Sequence, residues 1–257
     1  MKPSRNAIVR QTAILKHLKQ HGRALVDELA DMFATTPQTI RKDLNALAEV
    51  NQIARFHGGA ALVGGTEYVS FTVREEIARD EKNAIGRAAA GLVPNNSSLM
   101  INAGTTTAAL ARNLVNHVGL RIVTDSVALA NDIRDFVGSE VMVPAGTVRK
   151  SDGAILGETA VDFIRQFRVD TAVIGAAAIA TDGALLDFDL HEASIVRAMI
   201  ENARNVILAA DSTKFGRAAP VCLGQLSQID TLVTDAGFPE ALQKICANNG
   251  VHLVPAG

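Results

Sequence analysis

Residues 35–50, T-T-P-Q-T-I-R-K-D-L-N-A-L-A-E-V, decide how the amino-terminal part of the chain folds. Thr36 is a good helix N-cap and Pro37 a good first helical residue, so the pattern predicts a helix that begins here. Three apolar residues follow at helical spacing, on one face: Ile40, Leu44 and Leu47. The stretch therefore predicts an amphipathic helix with a defined beginning and one buried side.

The opposite face of this helix carries hydrogen-bond donors and cations. Its members are Gln38, Thr39, Arg41, Lys42 and Asn45. Side chains of these types read base edges and bind phosphates. Two further helical patterns precede it, over residues 5–20 and 26–33. We interpret residues 35–50 as the recognition helix of a helix-turn-helix; the alternative is a helix whose basic residues only face solvent.

Residues 53–60, I-A-R-F-H-G-G-A, predict a small β-wing after the recognition helix. Arg55 and His57 stand two apart, on one face of the strand, where they could contact phosphates or the minor groove. The charge distribution agrees, because residues 1–57 carry a formal +4 and the remainder −6. A basic head on an acidic body suits a head that binds a polyanion.

The length and composition predict two domains without a membrane segment. We expect a winged helix-turn-helix over 1–60, a Gly-containing linker over 61–72 and a larger domain over 73–257. There is no run of 18 apolar residues and no signal-peptide pattern at the start, which favours a cytoplasmic protein. Cys222 and Cys246 lie outside any CxxC motif, so we expect buried thiols, no metal and no cofactor.

The larger domain alternates helical patterns with short apolar runs, which predicts an α/β fold with a mainly parallel sheet. A helix is expected over residues 74–92. The candidate strands cover residues 98–101, 120–124, 141–144, 171–174, 206–210, 231–234 and 251–254. Open sheets of this kind bind ligands beyond the carboxyl ends of their strands. Four segments at strand ends therefore become candidates for a small-molecule site.

Two of these segments suit an anion. The first is N-A-G-T-T-T at 102–107, where backbone amides, hydroxyls and a helix N-terminus would form a phosphate cradle. Its candidate residues are Asn102, Gly104, Thr105, Thr106 and Thr107. The second is A-G-T-V-R-K-S-D-G at 145–153, whose donors are Arg149, Lys150 and Ser151. Either segment alone could equally be an ordinary helix cap or an exposed basic turn.

The other two segments add acceptors and a cation. In D-F-D-L-H-E at 187–192, Asp189 is a plausible N-cap, or Asp187, Asp189 and His191 hydrogen-bond the hydroxyls of a polyol. A metal site is a weaker alternative, since no further ligand cluster completes it. In D-S-T-K-F-G-R at 211–217, Lys214 would supply the point charge that a phosphate needs. Together the four segments suit a small phosphorylated polyol or sugar.

The runs P-Q-T-I-R-K-D-L-N-A-L and R-F-H-G-G-A-A resemble the amino-terminal module of the DeoR family of bacterial transcriptional regulators. The resemblance implies a winged helix-turn-helix that binds double-stranded operator DNA, with Thr39, Arg41 and Lys42 facing the DNA. Asp43 belongs to the same motif, but an acid cannot contact phosphate, so we expect it to be the structural partner of a neighbouring base. The resemblance also implies a repressor that acts as a homodimer or homotetramer.

The second domain resembles the effector domain of this family, which is similar to ribose-5-phosphate isomerase. The segments F-R-V-D, D-F-D-L-H-E, M-I-E-N-A-R and S-T-K-F-G-R-A-A are most like those of members that respond to sn-glycerol 3-phosphate. One departure is Asn102, where the family usually has an aspartate. An amide both donates and accepts, so the hydroxyl pattern of the effector could differ.

Three other functions stay open from the sequence. A sugar-phosphate isomerase needs a carboxylate base, and the corresponding position falls near Val196, with Glu192 one helical turn away. A general DNA-binding protein would show no effector response. A regulator of the same family could respond to a different sugar phosphate.

Overall fold

The computed structural model describes residues 5–21, 23–49, 53–56, 58–62, 71–235 and 237–257. The chain divides into two compact units, Met1–Ile77 and Ala78–Gly257. Of the linker expected over residues 61–72, residues 63–70 lie outside the described residues. Its two ends were predicted wrongly, because residues 61–62 belong to a strand and residues 71–72 to a helix. No helix in the described ranges is long and apolar enough to cross a membrane.

The first unit is a helix-turn-helix with a β-wing. Its elements are α1 (Arg5–His21), β1 (Arg23–Leu25), α2 (Val26–Met32), α3 (Pro37–Glu49), β2 (Ile53–Phe56), β3 (Gly59–Leu62) and α4 (Phe71–Glu76). Helix α3 begins as predicted, since the Thr36 hydroxyl oxygen accepts a hydrogen bond from the Thr39 amide at 3.2 Å. Its apolar stripe is buried with α1 and α2 in one core: Ile40, Leu44 and Leu47 join Ile14, Leu18 and Leu29.

The wing is a three-stranded antiparallel sheet in the order β1-β3-β2. The wing was predicted over residues 53–60, although β3 extends two residues farther, to Leu62. Strand β1 was not predicted, because three residues are too few to show alternation. The turn needs its glycines: Gly58 has a φ of +85°, and a Cβ on Gly59 would lie 2.5 Å from the Ala24 carbonyl oxygen.

The second unit has an α/β architecture. Its elements are α5 (Arg79–Ala90), β4 (Ser98–Ile101), α6 (Thr105–Arg112), β5 (Leu120–Thr124), α7 (Val127–Ile133), β6 (Ser139–Met142), β7 (Thr147–Val148), β8 (Ile155–Leu156), α8 (Glu158–Ile164), β9 (Val169–Ile174), β10 (Ala178–Ile179), β11 (Ala184–Asp187), α9 (Leu190–Glu201), β12 (Ala203–Ala209), β13 (Val221–Gln225), β14 (Thr231–Thr234), α10 (Glu240–Asn249) and β15 (His252–Pro255). Short 3-10 turns follow β12 and β13, at Ser212–Lys214 and Leu226–Gln228.

Seven parallel strands form the main sheet in the order β15-β14-β12-β9-β4-β5-β6. All seven correspond to predicted strands, with ends that differ by up to three residues. Successive side chains enter opposite cores: Met100 packs with α8 and α9, whereas Leu99 and Ile101 pack with α5 and α6. Helices therefore cover both faces, and the carboxyl ends of the strands share one edge.

The structure differs from the sequence expectations in three further respects. The single helix over 74–92 is two helices, α4 and α5, because Ala78 adopts left-handed backbone angles (φ 52°, ψ 43°) that interrupt the helical hydrogen bonding. The antiparallel sheet β10-β11-β13 and the β7–β8 hairpin were not predicted, since their strands have only two to five residues. Cys222, on β13, is exposed, and only Cys246 is buried.

Candidate functional site

Helix α3 presents the predicted DNA-contacting residues on one exposed face. Gln38, Arg41, Lys42 and Asn45 are exposed, and Thr39 is half-buried. The Thr39 hydroxyl lies 2.9 Å from the hydroxyl of Thr36, so it also takes part in the helix cap. This face has the cations and amides that groove recognition requires.

The wing is joined to this helix through a side-chain contact. Arg55 Nη1 donates a hydrogen bond to Asn45 Oδ1, which fixes the guanidinium beside α3. Asn45 and Arg55, both predicted to contact DNA, are therefore hydrogen-bonded to each other. His57, predicted to share the strand face with Arg55, lies outside the described residues.

Asp43 is a structural residue, as expected. It is 3% exposed, accepts from Arg10 Nε at 2.5 Å through Oδ2 and from Gln11 Nε2 at 3.0 Å through Oδ1. The basic partner lies on α1, so the acid of the motif joins α1 to the recognition helix.

In the second unit, the loop at 102–107 joins β4 to α6 and is built by its own side chains. The Thr107 hydroxyl donates to the carbonyl oxygens of Asn102 and Gly104 at 2.8 and 3.0 Å. Asn102 Oδ1 accepts from the Gly175 amide at 2.9 Å, which ties the end of β4 to the end of β9. A Cβ on Gly104 would lie 2.9 Å from the Thr107 hydroxyl. Thr105 and Thr106 are also buried, at the N-terminus of α6.

Arg149 connects two of the predicted segments. Its guanidinium donates to Asp152 through Nε (2.8 Å) and Nη2 (2.6 Å), to Asp189 through Nη1 (3.0 Å) and to Glu192 through Nη2 (2.6 Å). The residue expected to donate to a ligand thus already joins the 145–153 hairpin to the start of α9. Its predicted neighbours Lys150 and Ser151 are exposed.

The segment at 187–192 opens α9 through two aspartates. Asp189 is the N-cap, as predicted, since its Oδ1 accepts from the amides of His191 and Glu192. Asp187 is buried, and its Oδ1 accepts from the amides of Phe188 and Asp189 at 2.6 and 3.1 Å. His191 is exposed. Among the described residues, no group of three or more His, Cys, Asp or Glu side chains is arranged to hold a metal ion.

Lys214 belongs to a cluster of cations around one buried carboxylate, which we call the basic cluster: Lys82, Lys214 and Arg217 around Asp211. Burial alone would raise the pKa of Asp211, but the charges of Lys214 and Lys82, with hydrogen bonds from Thr213, hold it below its ordinary value. Burial lowers the pKa of Arg217, and the charge of Asp211 opposes this. Lys82, Lys214 and Arg217 thus bring three cationic side chains to one buried carboxylate, and lysine and arginine are the side chains that bind phosphates in proteins.

Lys82 and Arg217 were missed as site residues. Lys82 is only 3% exposed and lies in the first turn of α5, where the sequence pattern resembles any amphipathic helix. The sequence does not show that this lysine is buried beside Asp211, because that depends on the packing of α5 against the end of β12. Arg217 stands in the quoted segment at 211–217, so its chemistry was available in the sequence.

Asp125 was also missed. It directly follows β5 and is completely buried. Its Oδ1 accepts from the Ala103 amide at 2.6 Å. Burial, and next the charge of Glu192, raise the pKa of Asp125 to about 8, although the Ala103 hydrogen bond and Arg149 oppose this. Open α/β sheets bind ligands beyond the carboxyl ends of their strands, and this rule, which indicated the segment after β4, would also have indicated Asp125 after the neighbouring strand β5.

Family models match both units. A DeoR-like helix-turn-helix domain matches residues 10–65, and a DeoR C-terminal sensor domain matches residues 77–236. The second match covers more than half of the chain. Together they assign a DNA-binding module and a sensor module to the two units.

Several relatives that match nearly the whole chain are named transcriptional repressors. The chain is 41% identical over 244 residues to the glycerol-3-phosphate regulon repressor of Escherichia coli (strain K12), covering 95% of this chain and 97% of the relative. It is 42% identical to the repressor of the same name from Haemophilus influenzae, covering 96% of each chain. It is 37% identical to the HTH-type transcriptional repressor CsqR of E. coli, covering 95% of this chain and 94% of the relative.

The solved structures give a weaker likeness. Ribose 5-phosphate isomerase A of Methanocaldococcus jannaschii matches 54% of this chain and 55% of its own, at 16% identity and a TM-score of 0.41. The assignment therefore rests on the family models and the repressors.

Proposed function

The chain belongs to the DeoR family of bacterial transcriptional regulators, and we propose that it represses transcription by binding operator DNA and releases that DNA on binding sn-glycerol 3-phosphate. It is a regulator rather than an enzyme, because the chain carries the family's helix-turn-helix domain and these relatives are named repressors. The observation that carries the choice of ligand is the basic cluster, because its lysine and arginine side chains are of the types that bind phosphates.

The DNA contacts are proposed to come from α3 and the wing. Gln38, Thr39, Arg41, Lys42 and Asn45 would enter the major groove, with Arg55 and His57 on the wing. The bond between Asn45 and Arg55 supports this, since it holds the wing arginine beside the recognition helix. Because Asp43 uses both oxygens within the module, it stays away from the phosphates.

The effector contacts are proposed to come from the carboxyl edge of the sheet. Lys214, with Lys82 and Arg217, would hold the phosphate together with Gly104, Thr105 and Thr106. The other candidate residues would surround the polyol: Asn102, Thr107, Arg149, Lys150, Ser151, Asp187, Asp189 and His191. The Arg149 ion pairs support this arrangement, because they bring the 145–153 hairpin to the start of α9.

Release of DNA requires only a modest coupling between the two ligands. A tenfold loss of operator affinity corresponds to about 1.4 kcal/mol. We propose that the repressor is a homodimer or homotetramer in the cytoplasm, and that effector binding changes the spacing of its DNA-binding units. A shift of this kind needs differential binding of the effector to the two states and no chemical step.

The proposal is tested by thermal-shift measurements with a panel of polyol and sugar phosphates, followed by operator gel shifts for each compound that stabilises the protein. We expect sn-glycerol 3-phosphate to raise the melting temperature most and to release the DNA. A dominant response to an aldose or ketose phosphate would overturn the choice of effector and keep the family. Turnover of the bound compound would contradict the regulatory function.

A further inference from the structure

Asp125 lies at the carboxyl edge of the sensor unit's main sheet, after the second strand from one side. It follows β5, which pairs with β4 so that Thr124 stands opposite Ile101. Asp125 is therefore the neighbour of Asn102, the first residue of the predicted phosphate loop. Its side chain reaches that loop through the 2.6 Å bond from the Ala103 amide.

The main chain of Asp125 is fixed to the hairpin on its other side. Its carbonyl oxygen accepts from the Ile155 amide at 2.6 Å, and Ser126 forms a bridge with Ala154. Glu192 of α9 and Arg149 of the hairpin are near enough for their charges to act on the carboxyl group. Three of the four predicted ligand segments thus meet at this one side chain.

The second carboxyl oxygen of Asp125 has no structural use within the described residues. Oδ2 is buried and has no hydrogen-bond partner among the described residues, whereas Oδ1 accepts from the Ala103 amide. A buried carboxyl oxygen that makes no hydrogen bond is costly, so a fold does not retain it for stability. We propose that Asp125 binds a hydroxyl group of the effector through Oδ2 and thereby distinguishes a polyol phosphate from phosphate alone.

The state of this carboxyl group decides the direction of the hydrogen bond. The groups that act on it are the Glu192 carboxylate, the amides of Ala103 and of Asp125 itself, and the Arg149 guanidinium. Arg149 is itself bound by Asp152, Asp189 and Glu192. With a pKa of about 8, Asp125 is mostly neutral at pH 7. Oδ2 then carries the proton and donates to the hydroxyl oxygen.

Access to Oδ2 requires movement of its surroundings. The atom is closed to solvent in this conformation. Because Arg149 and the Ile155 amide both belong to the hairpin region, we infer that a hydroxyl reaches Oδ2 only as the hairpin shifts. The same contact would then both recognise the effector and change the sensor unit. This inference rests on the proposed function, since it assumes that the effector is a polyol phosphate.

The test is calorimetry of the full-length protein at pH 7 with four ligands: sn-glycerol 3-phosphate, its two analogues that each lack one hydroxyl group, and inorganic phosphate. Asp125→Ala should weaken glycerol 3-phosphate about tenfold and leave inorganic phosphate unchanged. It should also leave unchanged the analogue that lacks the hydroxyl held by Asp125. Asp125→Asn keeps both an acceptor for Ala103 and a donor at the position of Oδ2, so it should bind within about threefold of the wild type.

Repeating the titrations up to pH 9 adds a readout that a structural role would not change. The phosphate monoester of glycerol 3-phosphate is largely dianionic over this range. The wild type should therefore lose affinity for glycerol 3-phosphate above pH 8, while Asp125→Asn does not. Equal losses for all ligands in Asp125→Ala, or no loss for any, would overturn the inference and leave the proposed function intact. Failure of the wild type to bind any of the polyol phosphates would overturn both.

Discussion

Lys82→Met is the sharpest perturbation of the proposed phosphate site. Lys82 is 3% exposed, and its charge acts on Asp211, which also lies beside Lys214 and Arg217. A unit charge about 5 Å from another gains about 3 kcal/mol at an effective dielectric constant of about 20. If desolvation offsets about half of this, affinity for glycerol 3-phosphate falls by about 1.5 kcal/mol, or roughly tenfold. Methionine keeps most of the side-chain volume, so the loss reflects the charge.

The assay is isothermal titration calorimetry, with thermal unfolding to confirm that the variant folds. The matched control is Lys244→Met, which removes an exposed lysine from α10 whose ammonium pairs with Glu240 at 2.9 Å. The control should bind glycerol 3-phosphate as the wild type does. If Lys82→Met folds and binds the effector within twofold of the wild type, the basic cluster does not hold the phosphate.

Three further predictions concern other parts of the molecule. Arg41→Ala should weaken operator binding and lower its salt dependence, measured by fluorescence anisotropy at several salt concentrations, and an unchanged salt slope would remove Arg41 from the DNA interface. Asp43→Ala should destabilise the DNA-binding unit by about 2–3 kcal/mol in urea unfolding, because it removes the carboxylate that accepts from Arg10 and Gln11. A loss of stability below about 0.5 kcal/mol would contradict the structural role of Asp43. Asp125→Asn should become more stable relative to the wild type as pH rises from 5 to 8, by about 1.4 kcal/mol per pH unit. The reason is that the folded wild type keeps the carboxyl proton of Asp125 over this range while its unfolded chain has lost it, so the stability that this proton contributes declines toward the raised pKa of about 8. A difference in the free energy of urea unfolding that does not change with pH would refute the raised pKa.

Local patterns predicted the elements that depend on local physics. The Thr36 cap, the Ile40–Leu44–Leu47 stripe and the seven apolar strands all follow from hydrogen bonding and burial within a few residues. The division of α4 from α5 does not, because Ala78 has no sequence signal for left-handed backbone angles. The hairpin and the antiparallel sheet were missed because strands of two to five residues are fixed by their partners.

The sequence indicated the segments of the proposed effector site and only part of the contacts between them. Strand-end chemistry located the segments that contain Asn102, Arg149 and Lys214. It could not show that Arg149 meets three carboxylates, two of which lie about 40 residues farther along the chain. Nor could it show that Lys82, in a different helix, shares a charged cluster with Lys214. Such pairs depend on how the sheet brings distant segments to one edge.

The most direct test of the account follows release of DNA by the effector. A labelled operator, selected by the protein from random DNA, is held by the full-length chain and titrated with sn-glycerol 3-phosphate while anisotropy is recorded. We predict that the wild type releases the DNA, and that Lys214→Ala binds it equally well without effector but retains it when the effector is added. Release that is equal in Lys214→Ala and the wild type, or a wild type that keeps its DNA at saturating glycerol 3-phosphate, would contradict the account.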